Sequence, residues 1–200
     1  MRGGFLLLAL VAVTATPAGA QWDVGFEIST THYRGSSRAT TDTGGPTTVR
    51  PGDATAFGIR VDRAIRRVRL GLQASFAPVG LTAAAPDLTL TDNSAGKLFE
   101  GQLLVNFQVA GIGSSGAIRA EVGPSLHLWK SDSENRSRAG AIAAAAYEWP
   151  VAKRFSGAIR VEGILSKSWF DPGDLPSELE RRATWRYGVG LGLRYRLSGG

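Results

Sequence analysis

From Trp185 to Leu197 apolar and polar residues alternate without a break. Trp185, Tyr187, Val189, Leu191, Leu193, Tyr195 and Leu197 share one parity; Arg186, Gly188, Gly190, Gly192, Arg194 and Arg196 share the other. Successive side chains leave a strand on opposite sides, so this period of two predicts a strand with one apolar face. A helix would scatter the arginines around its axis. The same alternation returns along the chain. Trp22, Val24, Phe26 and Ile28 oppose Asp23, Gly25, Glu27 and Ser29. Phe57, Ile59 and Val61 oppose Gly58, Arg60 and Asp62. Val68, Leu70, Leu72, Ala74 and Phe76 oppose Arg69, Gly71, Gln73 and Ser75. Phe99, Leu103, Val105, Phe107 and Val109 oppose Glu100, Gln102, Asn106 and Gln108. Ile118, Ala120, Val122, Leu126 and Leu128 oppose Arg119, Glu121, Gly123, Ser125 and His127. Phe155, Ile159, Val161 and Leu165 oppose Ser156, Arg160, Glu162 and Ser166. Segment 139–149 is alanine-rich and compatible with a helix by propensity. It ends in Tyr147-Glu148-Trp149, which alternates again, and it is read as the eighth strand.

The connections alternate in length. Stretches 34–54, 79–96, 130–138 and 168–183 are long and rich in polar residues, Gly, Pro or Asp; 63–67, 110–116 and 150–153 are short. Antiparallel strands joined this way predict an all-β fold, an eight-stranded antiparallel up-and-down transmembrane β-barrel with one short-turn rim. No motif recurs at a period of 20–50 residues, which argues against a propeller or solenoid.

Parity alone leaves open which face is outside. A soluble ligand-binding barrel would turn the apolar face inward; a membrane barrel would turn it to lipid. Three features favour lipid. An eight-stranded barrel has an interior just wide enough for side chains. The polar face mixes Gly, Ala and Ser with its charges, whereas the apolar face carries the bulky residues, with Trp129 and Trp169 placed at strand rims. Trp185 and Tyr195 are ten steps apart, about 33 Å along a strand and roughly 25 Å vertically at the usual tilt, the height of an outer-membrane apolar band. With Trp22, Tyr147, Trp149 and Tyr187 they make a candidate aromatic girdle. Finally, only four of 23 basic residues are lysine: Lys97, Lys130, Lys153 and Lys167, all expected at strand ends or in connections. The polar faces use arginine, whose forked donors suit confined carboxylate pairs.

The polar parity holds seven acids, Asp23, Glu27, Asp62, Glu100, Glu121, Glu148 and Glu162. It holds as many bases, Arg60, Arg69, Arg119, Arg160, Arg186, Arg194 and Arg196. Buried charges must be paired, so the balance predicts a cross-barrel network and a plugged lumen.

The chain has 200 residues, a single domain by length. Residues 1–20 read as a secretory signal peptide: Arg2, the apolar run Phe5–Val13, then a small-residue segment ending Ala18-Gly19-Ala20. Cleavage after Ala20 would leave a mature barrel domain, 21–200. The run Phe5–Ala15 would span only about 16 Å as a helix, too short for a membrane. There is no cysteine, which removes disulfides, cysteine-held zinc and thiol nucleophiles. The formal net charge is +6. Arg34, Arg38, Lys97, Lys130, Arg136, Arg138, Lys167, Arg181 and Arg182 fall at the predicted outer rim, where glycolipid phosphates would lie. Basic residues are not grouped with stacking aromatics in any recognition motif, so nucleic acid is not an expected partner.

Candidate chemistry is sparse. His32 lies on the apolar parity; His127 shares a face with Ser125 and Glu121. A Ser-His-acid hydrolase of lipid is one reading. Residues i and i+2 on a strand are about 6.6 Å apart, long for direct contact, and no enzyme is expected. Asp171, Asp174, Glu178 and Glu180 could offer oxygens to calcium, but their spacing follows no EF-hand pattern; a solvated acidic loop is expected, with no metal or cofactor. Residues 40–54 read as a mobile surface loop.

The signal segment, the eight alternating strands, the unequal connections and the final strand Trp185–Leu197 together resemble the small eight-stranded outer-membrane family that contains the outer-membrane protein A transmembrane domain. The likeness covers Gln21–Gly200. It implies a monomer inserted in outer-membrane lipid with lipopolysaccharide, delivered by barrel-insertion machinery, and a structural or surface-interaction role through outer loops whose ligand is unknown. A small gated pore is the alternative. Such chains usually end on a terminal aromatic; this one runs past Leu197 to Ser198-Gly199-Gly200.

Overall fold

The computed structural model describes residues 21–39, 48–65, 68–85, 88–131, 134–175, 177 and 179–197. The signal segment, Glu178 and Ser198–Gly200 lie outside the described residues, as do 40–47 of the stretch read as a loop. The strands are β1 (Trp22–Ala39), β2 (Thr48–Pro51), β3 (Ala54–Ile65), β4 (Val68–Ala85), β5 (Leu88–Ile112), β6 (Gly116–Lys130), β7 (Asn135–Ala152), β8 (Phe155–Ser166) and β9 (Leu179–Leu197). Each pairs antiparallel with its neighbour. β1 pairs with β9, from Trp22↔Leu197 to Ala39↔Leu179, and closes the ring. β2 and β3 are two pieces of one stave: both pair with β4, and only Gly52 and Asp53 separate them. The ring therefore has eight staves, with the short turns 113–115 and 153–154 at one end. Closure pairs the first stave with the last and leaves neither with an open edge.

The alanine-rich segment is strand throughout. Its register runs Ala117↔Glu148 to Lys130↔Asn135 on β6 and Gly140↔Ser166 to Ala152↔Phe155 on β8. Two flanking ladders override alanine's helical preference, because each residue's backbone is already committed to a neighbour.

The connections differ from expectation. β1 continues to Ala39, β4 to Ala85, β5 begins at Leu88, β7 at Asn135 and β9 at Leu179. Much of what reads as long loop is paired hairpin beyond the apolar band. Backbone ladders do not require alternation, and where both faces can be polar the period-two signal fades while the pairing persists. The β1–β9 register shifts between Gly35↔Thr184 and Ser37↔Arg181, with the extra residue on β9. Gly35 (φ 76°) and Ser36 (φ 75°) are left-handed, and a Cβ on Gly35 would fall 2.2 Å from the Ala183 carbonyl oxygen. Ser36 and Ser37 are both buried here. Ser37 Oγ then accepts from Val49 N and donates to Val49 O, 2.8 Å each, fixing β2 against β1.

The faces are inverted relative to a soluble protein. Phe26, Ile59, Leu72, Leu103, Leu191 and their neighbours are exposed, while Arg60, Asp62, Glu121 and Arg160 are 2% exposed or less.

Candidate functional site: the lumen and its two mouths

Inward parity on every stave delivers charged side chains to one interior. Asp23, Glu27, Arg60, Asp62, Arg69, Glu100, Arg119, Glu121, Glu148, Arg160, Glu162, Arg186 and Arg194 all point there. They gather around three carboxylates. Glu121 on β6 accepts from Arg60 Nη1 on β3 at 2.9 Å, Arg160 Nε on β8 at 2.9 Å and Asn106 Nδ2 on β5 at 2.7 Å. Glu148 on β7 accepts from Arg69 Nη1 on β4 at 3.1 Å, Arg119 Nε on β6 at 2.6 Å and Arg194 Nη1 on β9. Glu100 on β5 meets Arg186 Nη2 at 2.6 Å and His127 Nε2 at 3.3 Å. Arg160 also reaches Glu27 on β1 at 3.1 Å and Glu162 on its own strand. Every stave contributes, and the Arg60–Glu121 bond crosses the barrel. Space for it comes from Gly71: a Cβ there would sit 2.5 Å from Asp62 Oδ1 and 3.2 Å from Arg60 Nη2.

Arg196 departs from its expected place. Its parity is lumenal, but its side chain is 53% exposed and its Nε is 3.9 Å from Asp23 Oδ1. It lies on the last turn of pairing, Asp23↔Arg196, where the mouth is already wet. Charge reading also missed uncharged members. Asn106 bridges Glu121 to Arg119 Nη1, and Gln73 and Gln102 contact Glu27 and Glu100. All three share the inward parity, which was the available signal.

The interior changes character along the axis. Leu104, Ile142 and Ile164 form a small apolar cluster. Toward the hairpin end, Tyr33, Ala56, Ala77, Val79, Leu98 and Trp129 form a larger one, with Trp169 packed on it. Trp129 is thus lumenal, 6% exposed, and not at a lipid-facing rim. The odd parity of β6 runs inward to its end, and Trp129 meets Tyr33 and Trp169 with ring centroids 5.9 Å apart in each pair.

The β8–β9 connection folds over this cluster, held by two arginines from β7. Arg136 pairs with Glu134 and with Asp174 Oδ2 at 2.5 Å, and lies 5.7 Å from the Trp169 ring. Arg138 donates to Ser168 O at 2.7 Å, Trp169 O at 3.0 Å and Asp171 Oδ1 at 2.8 Å. Both arginines stand on the inward parity of β7 and are engaged in this clamp, so they do not belong to a lipid-facing rim. Asp171 and Asp174 are likewise bonded to guanidinium groups, with Asp171 still half exposed; Glu180, also half exposed, faces Arg182 at 2.7 Å. The slight burial of Asp174 opposes its ionisation, but the Asp171 backbone N–H and Arg136 outweigh it and hold the carboxyl below the usual range. At the same end His32 is outward, 2.9 Å from Asp53 and 5.3 Å from the Tyr187 ring.

Ser125 and His127 do touch, His127 Nε2 to Ser125 Oγ at 3.0 Å. The spacing estimate failed because the imidazole leans along the strand. The neighbouring acid is Glu100 and not Glu121, and it approaches the same Nε2. A relay needs the nucleophile and the orienting acid on opposite nitrogens of the base's ring; here Ser125 and Glu100 both approach Nε2.

The remaining rim bases are outward. Lys97 and Lys130 are register partners, with Lys130 Nζ 5.3 Å from the Phe99 ring. Arg34 stands opposite Trp185 and Arg38 opposite Glu180; Lys167, Arg181 and Arg182 are exposed on the β8–β9 side. The aromatics fall at two levels. Trp22, Tyr147, Trp149 and Tyr195 lie at the short-turn end, with Tyr147 stacked on Trp149 at 5.6 Å and Tyr195 on Phe155 at 5.0 Å. Trp185 and Tyr187 lie at the other.

At the short-turn end the described bases Arg63, Arg69, Arg119, Lys153, Arg154, Arg194 and Arg196 meet the acids Asp23, Asp62, its register partner, and Glu148.

No family model and no curated protein matches the chain. Among solved structures it is similar to Neisserial surface protein A, 10% identical with a TM-score of 0.53 over 90% of this chain and 99% of that one. It is also similar to the N-terminal β-barrel domain of Pseudomonas aeruginosa OprF (13% identical, TM-score 0.46, 86% and 97% covered). A major outer membrane protein of Thermus thermophilus gives 12% identity and a TM-score of 0.48, with 88% and 99% covered. The chain has the fold of the small eight-stranded outer-membrane barrels.

Proposed function

We propose that this chain, with the fold of the small outer-membrane barrels, is an integral outer-membrane protein that presents rigid hairpins to the exterior on a closed, non-conducting stem. The observation that carries the reading is the inversion of its faces. The exposed band is apolar and flanked by aromatics, and the buried interior is ionic. Such an exterior is stable only in lipid, and such an interior only where charges meet partners. The short turns then face the periplasm and the hairpins the outside.

Three features support closure of the stem: the Glu121 and Glu148 hubs, the Tyr33–Trp129 cluster above them, and the clamped β8–β9 connection across the outer mouth. A structural or surface-interaction role follows, with the hairpins as contact elements. The outward pair Lys97–Lys130 and the exposed Arg34, Arg38, Lys167, Arg181 and Arg182 suit lipopolysaccharide phosphates at the membrane boundary. The Ser125–His127–Glu100 group serves this reading as part of the lumenal packing and not as a nucleophile.

The test is fractionation followed by gel mobility with and without boiling. An outer-membrane protein whose unboiled form migrates anomalously supports the reading; a soluble periplasmic protein with no shift overturns it. Planar-bilayer recording tests the closed stem, and reproducible single-channel steps above background would replace it with a pore.

A further inference from the structure

The short-turn mouth opens into a polar cavity of about 380 Å³. Arg69, Arg119, Lys153, Arg154 and Arg196 line it, with Ser114, Ser115 and Ser156 adding hydroxyls. Its two acids are already committed. Glu148 is shared by three guanidinium groups, those of Arg69, Arg119 and Arg194. Asp23 stands 3.9 Å from both Arg69 Nε and Arg196 Nε, beyond hydrogen-bonding distance. Arg119 and Arg194 are 9% and 5% exposed. Arg194 Nη2 also lies 3.7 Å from Glu121 Oε1. Buried cations need counter-charge, and the cavity lining itself sets five bases against two acids, Asp23 and Glu148. A low-dielectric cleft lined by one sign also concentrates ions of the other sign.

We propose that this vestibule is an oxyanion site that takes a phosphate group. Guanidinium forks and serine hydroxyls both donate to phosphate oxygens, and five bases against two acids in the lining favour a multivalent ion over chloride. The group can belong to a soluble phosphate or diphosphate, or to an anionic lipid headgroup reaching round the turn. The inference does not depend on what the outer hairpins bind.

The experiment titrates folded barrel in neutral detergent with pyrophosphate, against sodium chloride at equal ionic strength. One saturable site per barrel is expected. Lys153→Gln with Arg154→Gln should weaken it roughly tenfold or more. These are turn residues, so the fold persists. Arg50→Gln, at the opposite mouth, should leave it unchanged. No saturable binding beyond chloride, or equal weakening by both variants, overturns the site. Repeating the titration in phosphatidylcholine nanodiscs with and without phosphatidylglycerol identifies the source. Competition by the anionic lipid means that its headgroup fills the site; unchanged binding means that a soluble phosphate does.

Discussion

Replacing Glu121 with Gln tests whether the lumenal network holds the barrel together. Glu121 is wholly buried and receives three donors, Arg60 Nη1, Arg160 Nε and Asn106 Nδ2, at 2.7–2.9 Å. Two of these are charge-assisted bonds, each worth about 1.5–3 kcal/mol. Glutamine keeps the shape but loses the charge, and its amide N–H groups enter a site already crowded with donors. Arg60 keeps Asp62, and Arg160 keeps Glu27 and Glu162, so neither is stranded. The expected loss is therefore about 3 kcal/mol, the low end for two charge-assisted bonds, since each cation keeps another carboxylate. The assay is reversible urea unfolding in lipid vesicles, followed by tryptophan fluorescence and by the boiled-versus-unboiled gel shift. Glu180→Gln is the control, since its pair with Arg182 is 55% exposed on both sides and should change stability by less than about 1 kcal/mol. A Glu121→Gln barrel within about 1 kcal/mol of the parent would refute the reasoning, since the charges would then be solvated by lumenal water and not by one another.

Arg194→Gln and Arg196→Gln should differ although two residues and one parity separate them. The first removes one of three guanidinium partners of Glu148 and should cost about 1.5–3 kcal/mol, one charge-assisted bond; the second, half exposed, about 0–1 kcal/mol, both read by the same unfolding assay. Gly71→Val should destabilise by about 1–3 kcal/mol, because the new side chain meets the Arg60–Asp62 pair; unchanged urea midpoints would show that the pair can move aside. Asp174 has a lower pKa folded than unfolded, so its contribution is complete above the unfolded value, about 3.9. That contribution is lost as pH falls through the folded value. The Trp169 indole resonance should accordingly stay fixed from neutral pH to about 5 and shift only below about 4. Asp174→Asn at neutral pH should reproduce the acid spectrum, and a shift centred near pH 6 would point to another group.

The barrel was legible in the sequence because lipid and a narrow lumen impose opposite demands on alternate residues. Each stave had to record the period of two, from Trp22-Asp23 to Tyr195-Arg196, and inward parity alone brought Arg60, Glu121 and Arg160 to one interior. Partner choice was not legible. Parity fixes a face but not a height or a rotamer, so only the closed ring shows that Glu121 serves Arg60 and Arg160 while Glu100 serves His127. Sequence also lost the strands beyond the lipid, where Ala83, Thr89 and Asn135 sit in ladders that no side-chain pattern requires. It placed Arg136, Arg138 and Trp129 on the wrong side of the wall for the same reason, since position near a rim does not say which way a side chain turns. The net charge could be counted from composition. The grouping of Arg69, Arg119, Lys153, Arg154 and Arg196 around one mouth needed both the strand ends and the pairing order, because the potential of a mouth depends on which charges the fold brings within a few ångströms of one another.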